Sequence, residues 1–202
     1  MKLLQLCFLV VSVLTSTAAW SAPAQIVMIR HGEKLDVGAG LSPQGFQRAG
    51  LLPGFFSRDS VVNAYGPPVA IFAMEPNPNK ADGSVRPIQT VTPLAKSLNL
   101  QIETSFTRDQ YPAMAAQILK EPSYDGHTVV ICWEHDRIPP MAQAFGLTNG
   151  PTTWKGSVFD VAWVLRFDGN SSVPTLQLIG EKVLPTDAST DSAAAAEFYQ
   201  SP

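Results

Sequence analysis

Two of the three histidines stand where a buried strand would end. His31 follows the apolar run 26–29 with Arg30 directly before it, and His135 lies just past the run 128–132, after Trp133 and Glu134 and ahead of Asp136 and Arg137. Apolar runs this short read as strands covered on both faces. The C-terminal ends of such strands are where open α/β sheets keep their chemistry. If the two strands are neighbours, the imidazoles face one another across a cleft. Arg30 lies beside them, and the Pro- and Asn-rich loop 75–84 delivers Arg86.

Such a cleft suits a phosphate, because guanidinium groups bind phosphate in a bidentate fork. The chemistry it permits is phosphoryl transfer to an imidazole nitrogen, with two arginines and the second histidine stabilising the transferring group without a metal. His31 would attack as a neutral ring, a form that cationic neighbours favour. A carboxylic acid must then protonate the leaving oxygen. Taken singly, the pieces also have plainer readings: a hydrogen-bonded structural histidine, a solvated surface Arg86, and a Trp133 that packs in the core. His127, after the Asp125-Gly126 turn, reads as structural or exposed. Zinc is a rival use of the histidines, but no third His, Cys or paired carboxylate arrives at ligand spacing, so no metal and no cofactor is expected.

The elements that must hold these residues follow from periodicity and breakers. Ser42 caps a helix opened by Pro43, with Phe46, Ala49 and Leu52 inward and a break or kink at Pro53-Gly54. The run 69–74 is a second strand. Pro87 opens a helix with Ile88, Val91, Leu94, Ala95 and Leu98 on one face, made irregular by Pro93 and stopped at Asn99. Residues 100–103 form an edge strand and 111–120 a helix, with Met114, Ala115, Ile118 and Leu119 inward. Pro139 and Pro140 open another helix, with Met141, Ala142 and Phe145 inward, ending at Gly146. Residues 158–167 and 175–179 form a hairpin around Asp168-Gly169-Asn170. Beyond Pro185 a mobile tail is expected. The order is that of an α/β fold: three layers, a mostly parallel sheet with helices on both faces, and a C-terminal β-hairpin at the sheet edge.

With 202 residues, 45% hydrophobic and 15% charged, the chain suffices for one domain. Its formal charge of -3 argues against nucleic acid and against a polybasic membrane patch. Lys2, the apolar stretch 3–14 and the small residues up to Ala24 have the layout of a secretory signal peptide, cut after Ala19, Ser21 or Ala24. The division expected is 1–24 signal peptide, 25–184 catalytic-type domain and 185–202 tail, with a periplasmic or secreted location and no stable membrane insertion. Removal of the leader takes Cys7 and leaves Cys132 alone, a buried structural thiol. Asn170-Ser171-Ser172 fits a glycosylation pattern too common to weigh.

Four stretches in order resemble motifs of the histidine phosphatase superfamily, the phosphoglycerate-mutase-like fold. IVMIRHGEK at 26–34 resembles its arginine-histidine-glycine motif, Leu41-Ser42-Pro43-Gln44-Gly45 the helix start that follows, Arg86-Pro87-Ile88-Gln89-Thr90 the second-arginine motif, and 129–135 the second-histidine strand. The resemblance spans residues 26–146. It implies the phosphoglycerate-mutase-like fold, a small exported bacterial-type member, His31 as the phosphorylated nucleophile, and Arg30, Arg86 and His135 as the phosphate pocket. The acid it implies is Asp136 in one branch. In the mutase-like branch the acid comes from the segment holding Glu103 and Asp109. Glu134 departs from the small residue usual before the second histidine, so Asp136 and Glu134 rank together ahead of Asp109, and Glu33 loses the role. The function expected is a metal-independent phosphomonoesterase acting on a small or envelope-associated phosphate ester. The compartment weighs against mutase activity and against protein phosphohistidine. The rival is a non-catalytic phosphate-binding or scaffold protein, with a zinc hydrolase third.

Overall fold

The computed structural model describes residues 22–79, 83–168 and 171–199. The expected leader up to residue 21, Asp82 of the loop before Arg86, the Gly169-Asn170 pair of the hairpin turn and glycosylation pattern, and the last three residues lie outside it. The sheet has six strands in the order β3-β2-β4-β1-β5-β6: β1 (Gln25–Arg30), β2 (Ala70–Ala73), β3 (Ile102–Glu103), β4 (Thr128–Trp133), β5 (Val161–Arg166) and β6 (Thr175–Gly180). The first four are parallel, and β5 and β6 add an antiparallel hairpin at the edge beside β1. This is the α/β fold with a C-terminal edge hairpin expected from the sequence.

Strand periodicity builds the two faces. In β1, Ile26 and Met28 point into one apolar cluster and Val27 and Ile29 into the other, as side chains at alternate positions must. Helices α1 (Pro43–Arg58) and α2 (Arg86–Leu98) cover one face, contributing Leu52, Phe55, Phe56, Val91, Leu94 and Ala95. Helices α3 (Tyr111–Ile118), α4 (Ile138–Ala144) and α5 (Asp191–Tyr199) cover the other with Met114, Ile118, Met141, Ala194 and Phe198. Cys132 is buried and unpaired, with burial pushing its thiol well up. Among the described residues no helix is long and apolar enough to cross a membrane.

Several expectations need correction. Ser42 caps α1 as expected, its Oγ accepting from the Gly45 N–H at 3.1 Å, but the helix runs through Pro53 and Gly54 to Arg58. A proline inside a helix costs about 3 kcal/mol; burial of Phe55 and Phe56 beyond it offsets that cost. Phe46 is 52% exposed, and the inward positions of that turn belong to Gly45, Arg48 and Ala49. Arg86 begins α2 rather than sitting on the loop, and Pro93 lies within an unbroken α2, which Asn99 closes in the left-handed conformation (φ 53°). Residues 191–199 form α5 in place of a mobile tail. Phe198 meets Trp154 edge-on at 4.9 Å and Trp163 at 5.6 Å between ring centroids. A stretch of Ala, Ser and Asp carries no helical apolar stripe, so one aromatic near its end does the docking. Phe198→Ala should therefore lower unfolding free energy by about 3–5 kcal/mol, measured by urea denaturation, whereas an undocked tail would show no change.

Candidate active site

Pairing of β1 with β4 in register, Arg30 opposite Trp133, brings the two histidine segments side by side. The His31 N–H donates to the Trp133 carbonyl at 3.1 Å, extending the ladder one residue past the strand. His135 opens a short 3-10 turn (His135–Arg137) immediately beyond Glu134. Arg30, Arg86 and His135 lie near enough to the His31 ring to act on it electrostatically.

His31 is 4% exposed. Its Nδ1 lies 2.8 Å from the Gly32 carbonyl oxygen, an acceptor only, so Nδ1 carries the proton and Nε2 keeps its lone pair. Burial pushes the ring's pKa down to about 4, opposed by the Gly32 hydrogen bond and aided by Arg30, Arg86 and His135. The ring is neutral at pH 7, as a nucleophile requires. His135, half-buried, is also lowered, first by burial and then by Arg30, with Asp136 and Glu134 opposing.

Backbone contacts fix the His31 loop. A Cβ on Gly45 would lie 2.3 Å from the Glu33 carbonyl oxygen, so the first turn of α1 packs directly on this loop and only glycine fits. The Ser42 N–H donates to the Glu33 carbonyl at 2.9 Å. The Gly32 N–H donates to Thr90 Oγ1 at 2.9 Å, and that hydroxyl donates to the Arg86 carbonyl at 2.8 Å. Thr90 thus joins the His31 loop to Arg86.

The arginines differ in setting. Arg30 is 2% exposed, donates to the carbonyls of Gly156 at 2.9 Å and Val158 at 2.7 Å, and stacks 3.6 Å from the Phe159 ring centroid. Burial pulls its pKa down to about 10, which leaves it charged at neutrality. Its Nε is buried and has no hydrogen-bond partner among the described residues. Arg86 donates from Nε to the Gly40 carbonyl at 3.2 Å and from a terminal nitrogen to the Gly38 carbonyl. A phosphate there would replace those carbonyls.

The candidate acids form a surface network. Arg108 pairs with both Glu134 and Asp136, Arg137 also pairs with Asp136 at 3.0 Å, and Asp109 joins through Arg137 at 2.7 Å. The Arg137 hydrogen bond, with the charge of Arg108, holds the Asp109 carboxyl below its usual range, which counts against it as a proton donor. Glu103 instead accepts from Ser105. A cleft of about 760 Å³ runs beside the site, lined by Asn77, Ser84, Arg86, Arg108, Asp109 and Glu134 among others. Arg86 and Glu134 are where cleft and histidine site meet. Trp133 is fully buried, and its Nε1–H holds the Arg108 carbonyl at 3.0 Å. His127 is exposed. Among the described residues no three His, Cys, Asp or Glu side chains are grouped to hold a metal.

Sequence reasoning missed Arg108, Phe159 and Arg48. The first two sit outside any motif. Arg48 lies on the inward stripe of α1, but its charge disguised it as a surface residue.

No family model matches the chain, and no curated protein matches it. Similar solved structures include a candidate phosphohistidine phosphatase SixA from Agrobacterium tumefaciens, 15% identical, covering 78% of this chain and 99% of its own, with a TM-score of 0.48. A second SixA candidate, from Nakamurella multipartitia, is 16% identical over 76% of this chain and 92% of its own, at 0.47. A candidate alpha-ribazole-5'-P phosphatase from Escherichia coli K-12 is 10% identical over 78% and 96%, at 0.43.

The low pKa of His31 has a signed consequence. The unfolded chain takes up a proton near pH 6.5 and the folded one near pH 4, so stability is full above 6.5 and declines as pH falls toward 4. The decline should be on the order of 3 kcal/mol and absent in His31→Gln, as urea titrations at stepped pH would show.

Proposed function

We propose that the chain is a metal-independent phosphomonoesterase working through a phosphohistidine on His31. The observation that carries this reading is a buried neutral imidazole whose Nδ1 is tied to the Gly32 carbonyl, flanked by Arg30, Arg86 and His135. The motif resemblance over 26–146 supports it. In the first step the Nε2 lone pair forms the N–P bond as the bond to the ester oxygen breaks. The leaving oxygen takes a proton from Glu134 or Asp136. In the second step water attacks the phosphorus, loses its proton to the same carboxylate, and releases inorganic phosphate with His31 restored. Arg30 and Arg86 bind the equatorial oxygens, whose charge they stabilise in both transition states, and His135 donates a third hydrogen bond.

The substrate belongs to the small phosphate esters, with envelope-associated esters favoured by the export signal read at 1–24 and a periplasmic or secreted location. No nucleic acid is a partner on this reading. One observation favours the rival of a non-catalytic phosphate-binding protein: both preferred acids are held by Arg108.

Purified protein should hydrolyse a generic aryl phosphate equally with and without chelator and lose that activity in His31→Ala. Phosphate binding without release above the His31→Ala control, from acidic to neutral pH, would establish the binding protein instead. Loss on chelation would establish a zinc hydrolase. With Glu134→Gln and Asp136→Asn compared on good and poor leaving groups, the true donor should matter by about 10²-fold or more on the poor one and little on the good one. Equal losses on both substrates would remove either carboxylate from the role.

A further inference from the structure

Arg48 sits one turn into α1, 2% exposed, in the midst of three carboxylates. Nε lies 3.1 and 3.2 Å from the Glu33 oxygens and Nη2 lies 2.7 Å from Oε1. Nη1 reaches Glu181 at 3.0 Å and Asp187 at 2.9 Å, and Nη2 reaches Asp187 at 2.8 Å. All five guanidinium N–H groups are thereby engaged. Nothing in the phosphoryl-transfer steps above uses this cluster. As mere fold glue it is expensive, since a hydrophobic group of the same volume holds two elements together at least as well as a buried ion pair.

Its connections lead to His31 from two sides. Through Glu33 it grips the residue after Gly32, whose carbonyl fixes the His31 proton on Nδ1. Through Glu181 and Asp187 it grips the chain after β6. There the Glu181 N–H donates to the Asp160 carbonyl at 2.8 Å, and the Ala188 N–H to Asp160 Oδ2 at 2.7 Å. Asp160 follows Phe159, the ring packed on Arg30 and 6.3 Å from the His31 ring. Asp187 also accepts from the Val183 and Leu184 N–H groups at 3.0 Å, so it is fixed from its own side.

We propose that Arg48, acting through Glu33, is a positioning residue of the His31 loop in addition to the backbone contacts from Ser42, Gly45 and Thr90, and that it fastens this loop to the segment 181–187 behind the phosphate pocket. The inference rests on His31 being the nucleophile. Residue 33, next but one to that histidine, serves as the loop's anchor rather than as a proton donor. Burial pushes Glu181 up to about 7, which is consistent with one guanidinium serving three acids.

Because Arg48→Met would strand three carboxylates and fail to fold, the variant to use is Glu33→Ala, which leaves Arg48 paired with Glu181 and Asp187. The readouts are ¹⁵N shifts of the His31 imidazole, kcat and KM on an aryl phosphate, and the melting temperature. The expected result is a folded protein in which the Nδ1–H signature gives way to mixed tautomers, with kcat down roughly 10- to 100-fold and KM within about twofold. A folded Glu33→Ala with wild-type tautomer and kcat overturns the proposal, whatever its melting temperature. If the wild type itself releases no phosphate, the phosphatase reading fails while the imidazole spectrum alone decides the positioning role: mixed tautomers uphold it, an unchanged Nδ1–H signature overturns it.

Discussion

The parallel pairing of β1 with β4 is the interaction on which the rest depends. Both strands are buried along their whole length, with side chains alternating into two separate apolar clusters. No polar side chain that must meet a substrate fits inside such a pair, so polarity begins where the strands end. The register sets Arg30 opposite Trp133. It therefore fixes the relative height of the segments carrying His31 and His135 before any side chain contact is made. A shift of register would separate them and turn each strand's apolar residues away from their clusters.

Concentrating positive charge at that edge carries an electrostatic cost, and the structure meets it with dipoles more than with anions. Arg30 is solvated by two carbonyls and the face of Phe159, and Arg86 by the carbonyls of Gly38 and Gly40. Carboxylates stay in the outer network around Arg108 and Arg137 or behind the loop around Arg48. Carbonyl dipoles stabilise a guanidinium without neutralising its charge. Both guanidinium groups are thus oriented by fixed dipoles while keeping their charge.

The sequence made the strands legible because both faces of each are buried, leaving uninterrupted apolar runs, and two helix ends legible because Ser42-Pro43 at the start of α1 and Asn99 at the close of α2 act through local chemistry. What escaped depended on distant partners. Pro53 looks like a terminator until Phe55 and Phe56 find a core to fill, and Phe46 looks inward until Arg48 takes that side of the helix. Residues 191–199 have little amphipathic pattern, and only a pocket made by Trp154 and Trp163 makes Phe198 an anchor. In the site, strand-end residues were legible by position. Phe159 and Arg108 were not, since their roles arise from contacts with Arg30 and Glu134 across long stretches of chain.

The same geometry ties the candidate acids to the cleft through Arg108. Arg108 has its backbone carbonyl held by the buried indole of Trp133, while its side chain lies on the cleft and bridges Glu134 and Asp136. A carboxylate that accepts hydrogen bonds from a guanidinium has its oxygens turned to that partner and away from a leaving group. On the proposed phosphatase reading, acid assistance to His31 requires that grip to loosen when substrate binds. A phosphate is the group able to loosen it, because it offers guanidinium donors a charged bidentate partner in place of the carboxylates. Glu134 lines the cleft beside Arg108, and Asp136 does not, so on that reading a loosened Arg108 would leave Glu134 facing the contents of the cleft. Proton donation would then be coupled to occupancy of the pocket, with a side chain outside every sequence motif supplying the link.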